Sequence, residues 1–363
     1  MSSPKNHLTI QCSHSIPLQH LSCTMDVLLD ICDTFVFDRL YATVLPVKAF
    51  ISNDTLHDVG NQAYNKQVQL YYPLQPSQWA SSSSWSRDYL PRQALSLFLI
   101  TWLFGISMYL LGSTLLYYTI YNKQLLKHPK FLRQQIRQEI RQSLLAMPIM
   151  AILTVPFFLA EIHGYTKLYD FSPDPALQIP FGISGNVYKY IQYPFFILFT
   201  DTGIYWIHRA IHHPLIYRFV HKRHHKWIVP TPYASYAFNP VDGWLQSLPY
   251  HIFPFVFPLQ KGAYLGLFVF VTVWTVLIRK FFLFTSNILE GLLLMVVVDD
   301  AEYLSYSKLI NGAACHTMHH LYFNYNYGQF TTFWDRVCWT YQTPSEKGMI
   351  VDEVEKEKKK KTR

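Results

Sequence analysis

Charge is scarce in this chain. Asp, Glu, Lys and Arg make up 15% of its 363 residues, against roughly 25% in ordinary soluble domains. Half of the residues are hydrophobic and 17% are aromatic. That balance argues against a soluble protein and for one set in a membrane. Cysteine is scarce too. Cys12, Cys23, Cys32, Cys315 and Cys338 are too scattered for a disulfide framework. They fit a reducing compartment, or sites that never meet an oxidant. No secretory signal opens the sequence, because residues 1–24 are polar and lack an apolar core. No internal repeat is evident. The formal charge is +8. Its basic residues stand beside apolar runs, which favours anionic lipid over nucleic acid as the partner.

Long apolar runs are what the chain does have. A spanning helix needs about 20 mostly apolar residues. Residues 93–122 contain no Lys, Arg, Asp or Glu and qualify, as do residues 143–160. Residues 189–207 are a third candidate, interrupted by Asp201. Residues 247–278 are broken by Pro254, Pro258 and Gly262, and read as a helical hairpin or a span with a re-entrant piece. The expected fold is an all-α integral membrane protein with about four transmembrane helices or helical hairpins and a cytosolic, histidine-rich helical domain. Residues 1–24 read as a disordered extension, 25–92 as an N-terminal region and linker, and 93–207 as the transmembrane region. Residues 208–345 read as the catalytic region, and 346–363 as a charged, disordered tail.

The loop 123–142 carries Lys123, Lys127, Lys130, Arg133, Arg137 and Arg141 against Glu139 alone, so it should face the cytosol. Leu132, Ile136 and Ile140 alternate there with the arginines, as in an amphipathic helix lying on a membrane surface. Counting crossings from that loop puts the histidine-rich segment and the C-terminus in the cytosol.

Nine of the 16 histidines fall in three clusters: His208, His212 and His213; His221, His224 and His225; and His316, His319 and His320. On a helix, positions i, i+3 and i+4 share one face, so H-x-x-x-H and H-x-x-H-H aim several imidazoles at one point. Neutral imidazoles packed this closely call for a shared cation, since protonating them together is repulsive. Imidazole suits zinc, copper, iron and nickel. One zinc takes about four ligands, so nine candidates are enough for two metals. The Glu-x-x-His motif of carboxylate-bridged di-iron proteins is absent. Two irons held by imidazole are the economical answer. Asp201 lies one heptad before His208 and could orient a ligand from behind. A lone histidine such as His57 or His163 reads as an ordinary polar side chain. A metal transporter is disfavoured, because the spans offer few ionisable residues beyond Glu161, Asp201 and Glu290.

At these residues the chain resembles the membrane fatty-acid hydroxylase/sterol desaturase superfamily, and within it the sterol C5-desaturases of fungi. The resemblance is carried by residues 200–235, 241–259 and 310–336, where the run from Asn324 to Phe330 and the Trp334-Asp335-Arg336 run are the specific parts. Residues 25–46 resemble that family's opening. The resemblance implies a Δ7-sterol 5(6)-desaturase of ergosterol synthesis in the endoplasmic reticulum membrane. It implies a di-iron centre that uses O2, with electrons from NADH or NADPH through cytochrome b5 and its reductase. Further contacts with other sterol-synthesis enzymes would fit. A sterol C4-methyl oxidase, a fatty-acid hydroxylase and an impaired sterol-binding paralogue are the alternatives.

The chain departs from the family pattern in places. Tyr236 and Asn239 stand where the family has histidines, and so does Asp299. The 20 residues Arg279–Val298 (298 − 279 + 1) form an apolar insertion just before Asp299. A full crossing there would carry the third cluster to the wrong side, so the insertion reads as a surface-lying or hairpin element, or as a misread intron. Asn53-Asp54-Thr55 is a glycosylation sequon, and Lys360-Lys361-Thr362-Arg363 looks like a dilysine retrieval signal.

Overall fold

The computed structural model describes residues 24–47, 77–119, 121, 123–127, 129–170, 179–277 and 309–344. The expectations for residues 1–23, Asn53, the 279–298 insertion, Asp299 and the tail lie outside the described residues. The described chain is mostly helical. Its helices are α1 Thr24–Cys32, α2 Asp38–Val44, α3 Leu90–Thr119, α4 Gln135–Ile162, α5 Gly185–Ile211, α6 Pro214–Tyr217, α7 Pro240–Val256, α8 Lys261–Leu277, α9 Ala313–Tyr322 and α10 Phe333–Val337. Two short strands, Leu168–Tyr169 and Leu259–Gln260, pair in parallel.

Among the described residues, α3 and α4 are long and apolar enough to cross a membrane. Pro91 sits in the first turn of α3, where a missing N–H costs nothing. Only 17% of the most apolar window of α3 is buried inside the protein. Leu103, Leu111 and Leu115 face outward instead. A water-soluble core helix would bury that face, so it suits contact with lipid. At its far end, α4 stops at Gly164 in a left-handed conformation (φ 81°), whose N–H caps Glu161 O at 2.9 Å.

The amphipathic segment 132–141 is not a separate surface helix. Its residues from Gln135 onward form the first turns of α4, running unbroken into the apolar part. The reason is a buried polar stripe at Gln135, Glu139 and Ser143, one turn apart. Gln135 Nε2 donates to Glu139 Oε1 (2.7 Å) and Val229 O (2.8 Å), and Ser143 Oγ donates to Tyr233 O (3.2 Å). Thr231 donates to Glu139 through its N–H and its hydroxyl. These bonds hold the start of α4 against protein, with Arg133, Arg137 and Arg141 left outside.

The residues that make these bonds belong to a loop, 227–238, wedged between α3 and α4. Tyr109 Oη donates to Tyr233 O (2.8 Å), and Ser113 Oγ donates to Pro232 O (3.1 Å). Irregular backbone beside apolar helices needs such partners, because lipid supplies none. The apolar stretch 247–278 is a helical hairpin, α7 and α8, turning at Phe257–Gln260. The break falls at Pro258, while Pro249 and Pro254 lie within α7. There α5 and α7 touch closely, and a Cβ on Gly203 would lie 2.6 Å from Pro249 Cγ.

Helices α1 and α2, joined through a π turn at Asp33–Phe37, are clamped to the start of α3 by a buried ion cluster. Arg87 donates to Asp30 Oδ1 (2.7 Å) and to both carboxylate oxygens of Asp38 (3.1 and 2.5 Å). Arg92 donates to Asp33 Oδ1 (3.1 Å), Asp38 Oδ1 (2.6 Å) and Trp85 O (2.8 Å). Three carboxylates share two guanidiniums, and burial pushes the Asp33 carboxyl up to about 6. Removing one partner leaves buried charges uncompensated. Arg87→Met should therefore cost about 3–5 kcal/mol. The expected sign is release of α1–α2, read as new protease cleavage near residue 45 in an otherwise inserted protein.

Candidate metal centre

Eight of the nine clustered histidines converge. His208 lies in the last turn of α5 and His212 caps its end. His221, His224 and His225 lie on a turn that closes in a short 3-10 helix. His316, His319 and His320 lie on α9. The side chains sort into two groups whose ligand atoms lie within 4.8 Å of one another: His208, His212, His221 and His319, and then His224, His316 and His320. His225 stands between them, with ring centroids 4.8 Å from both His319 and His320. Each H-x-x-H-H motif therefore feeds both groups. His316 and His320, four apart on α9, share a face, while His319 turns to the other group. The spacing alone suggested a single point of convergence.

The hydrogen bonds show which nitrogens carry protons. His208 Nδ1 lies 2.9 Å from Tyr327 O, and His319 Nδ1 lies 2.7 Å from Tyr325 O. His221 Nδ1 lies 2.7 Å from Asp242 Oδ2. A carbonyl or carboxylate oxygen only accepts, so each Nδ1 is the donor and each Nε2 of a neutral ring is a bare lone pair. Yet His208 Nε2 and His221 Nε2 face each other at 3.2 Å, as do His212 Nε2 and His319 Nε2. In the first pair neither nitrogen has a proton to offer. Protonation is no remedy. Burial, followed by the neighbouring His221, pushes His212 down to about 3. Burial and then His208 hold His319 well below the ordinary histidine range. What satisfies converging bare nitrogens is a cation. Two nitrogens bound to one metal at about 2.0–2.1 Å stand roughly 3.0–3.4 Å apart. The 3.0 Å separation of His316 Nε2 and His320 Nε2 falls in the same range. The donor set therefore fits first-row transition metals that accept imidazole.

The carbonyls that hold His208 and His319 are themselves fixed. They belong to the loop 325–331. Asp201 of α5 accepts from the N–H groups of Gln329 (3.1 Å), Phe330 (2.8 Å) and Thr331 (3.4 Å), and from the Thr331 hydroxyl. Asp335 accepts from Tyr327 N (2.8 Å), Gly328 N (2.9 Å) and Thr340 Oγ1 (2.8 Å). Gly328 is required by space, since a Cβ there would collide with Thr331 O. Among the described residues, Asp201 makes no hydrogen bond to a histidine. It acts through a backbone loop, not by direct contact with His208.

His213 does not join the groups. It is exposed and stands at the start of α6. The sequence reading passed over Asp242, although a signal existed: it is the only acidic residue between positions 202 and 289. Two departures from the family pattern have structural roles. Asn239 caps α7, accepting from Val241 N at 3.0 Å and donating to Phe219 O at 3.0 Å. Tyr236 packs edge-on against Tyr109 of α3.

The region that carries these histidines is similar to known proteins. The fatty acid hydroxylase family model matches residues 193–340, which span all three histidine clusters. The Delta(7)-sterol 5(6)-desaturase erg3B of Aspergillus fumigatus is 54% identical, over 88% of this chain and 87% of its own length. The Delta(7)-sterol 5(6)-desaturase of Leptosphaeria maculans is 49% identical over 89% and 87%. ERG3 of Candida albicans, of the same name, is 38% identical over 93% of each chain. No solved structure matches. With such identity over almost nine-tenths of its length, the chain belongs to the Delta(7)-sterol 5(6)-desaturase family, within the fatty acid hydroxylases.

Proposed function

We propose that this chain is a membrane-bound oxidoreductase that uses O2 to place the C5–C6 double bond in a Δ7-sterol, on the route to ergosterol. The observation that carries the reading is the pair of adjoining imidazole groups in a chain 54% identical to a protein named for that reaction. The electrons balance simply. O2 takes four electrons to become two waters; two come with the hydrogens lost from C5 and C6, and two come from an external carrier. Cytochrome b5 and its reductase, drawing on NADH or NADPH, are the carrier in this reading. Two iron ions, held by His208, His212, His221 and His319 and by His224, His316 and His320 with His225 between, would supply the O2 chemistry that side chains lack.

The residues of the chain have their own tasks. Asp242, Tyr325 O and Tyr327 O keep the Nδ1 protons of His221, His319 and His208 in place and leave Nε2 available. Phe238 meets the His224 ring at 6.0 Å, Tyr236 meets Phe238 at 5.9 Å, and Tyr109 meets Tyr236 at 5.8 Å. Those packed rings join the histidines to α3 and give the site the water-poor surroundings that an apolar substrate needs. In this reading α5 and the α7–α8 hairpin are the third and fourth membrane elements. The basic loop 123–142 and the histidines lie on the cytosolic side of the endoplasmic reticulum membrane in this reading.

Sterol profiling tests the reading, in a fungal host deleted for its own C5-desaturase. Expression of the chain should restore Δ5,7-sterols to a large share of the total. Accumulated Δ7-sterols beside inserted, metal-loaded protein would identify an impaired paralogue. Oxidised C4-methyl sterols or hydroxylated fatty acids would identify one of the other superfamily reactions.

A further inference from the structure

The histidine groups have two unlike sides. The inner side is the aromatic path through Phe238 and Tyr236 to α3. On the outer side the His225 ring meets Phe323 at 4.6 Å and Tyr217 at 5.9 Å, and Tyr217 meets His212 at 5.7 Å. These rings lie at the surface. Phe323 is 36% exposed, and near Tyr217 in the chain stand Leu215, 76% exposed, and Phe219, 71% exposed. The same surface is basic. Residues 202–241 hold Arg209, Arg218, Lys222, Arg223 and Lys226 and no Asp or Glu. Arg218, Lys222 and Arg223 are exposed, and among the described residues none of them forms an ion pair. The Arg218 guanidinium lies over the Phe219 ring at 5.9 Å.

Resting on the function proposed above, we propose that Leu215, Arg218, Phe219, Lys222, Arg223 and Phe323 form the docking surface for an acidic one-electron carrier protein. Charge complementarity selects the partner. A cluster of cations with no counter-ion among the described residues speeds and orients the approach of an acidic protein. Exposed apolar side chains among those cations supply the small dry centre of a transient interface. Position favours a carrier over a lipid surface. The patch adjoins the histidines directly, with Tyr217 against His212 and Phe323 against His225. It is also the side on which Phe323 and Tyr217 bring the histidines within one ring of solvent. An iron centre held by these histidines would accept one electron at each encounter, the carrier being oxidised by one, with no bond made or broken.

The test uses the full chain, loaded with iron, in phosphatidylcholine nanodiscs. The probe is the soluble haem domain of cytochrome b5, an acidic one-electron carrier. Arg218→Glu, Lys222→Glu and Arg223→Glu combined should weaken its binding by about tenfold or more and flatten the salt dependence. Reduction of the loaded protein by the haem domain should slow by a similar factor. Reduction by dithionite, which needs no docking, should not change. Leu215→Ser, a milder change at a mostly exposed side chain, should weaken binding several-fold and decides the matter if the charge variant fails to hold iron. Unchanged binding and unchanged salt dependence in both variants would overturn the proposal. So would variants that bind the haem domain normally but lose affinity for phosphatidylserine added to the nanodiscs, since the surface would then belong to lipid. None of these measurements needs a sterol, so they stand whether or not C5-desaturated product is found.

Discussion

His319→Ala protein will purify with its metal content cut by half or more and with desaturase activity reduced by about a thousandfold or beyond detection. His319 is the ligand whose loss should matter most. Its Nε2 faces His212 Nε2 at 3.2 Å, and its ring lies 4.5 Å from His208 and 4.8 Å from His225. Removing it opens the first group and loosens the contact with the second. Elemental analysis of inserted, monodisperse protein is the measurement. Replacement of the exposed His213 by Ala is the control, and should leave metal and activity close to those of the parent chain. If His319→Ala retained its full metal content, the convergence of bare nitrogens would have to be satisfied in some other way.

Asp242→Ala should lower metal affinity by about 10–100-fold without removing a ligand. The carboxylate holds the Nδ1 proton of His221 at 2.7 Å in a fully buried pair. Without it the ring can turn or change tautomer, and Nε2 no longer points reliably into the group. Chelator competition will show the weaker binding, and excess iron during assay should recover part of the activity. That partial rescue separates a positioning role from a ligand, because added iron cannot restore His319→Ala. Equal metal affinity in Asp242→Ala and the parent would mean that the turn 221–225 holds His221 unaided.

How much of this was legible in the sequence depended on the range of the interaction. The histidine clusters stand out in one dimension, because ligands to a shared cation recur at helical spacing. Their division into two groups does not. It needs the 221–225 turn, which is not α-helical, and the sideways projection of His319 from α9. The apolar length of α3 and α4 was plain. The upright start of α4 was not, since Gln135 and Glu139 look like surface residues until Val229 and Thr231 arrive from some ninety positions later to bind them. The role of Asp201 was half legible. Its register with His208 marked it as a partner of the site, but the run from Asn324 to Phe330 marked the family without showing that its backbone stands between Asp201 and His208. Asp242 was legible by contrast alone, an isolated acid in a long acid-free stretch, and that kind of signal is easily passed over.

The two groups of ligands draw on parts of the chain that are far apart: His208 and His320 are separated by 112 positions (320 − 208). A bound ion is therefore a staple across a long loop, and stapling energy of that kind is folding energy. Among the described residues, the contacts of α9 beyond its histidines include Met318 and Leu321 packed with Tyr121 and Leu125, and Asn326 Nδ2 donating to Cys315 O. In a cell short of iron, newly made chains would keep their membrane helices yet leave α9 insecure, with lone pairs pushing it from the end of α5. Such chains are what quality-control proteases remove. The abundance of this protein, and not merely its turnover, should then follow the iron supply, so that the capacity to make its product is set while the chain matures.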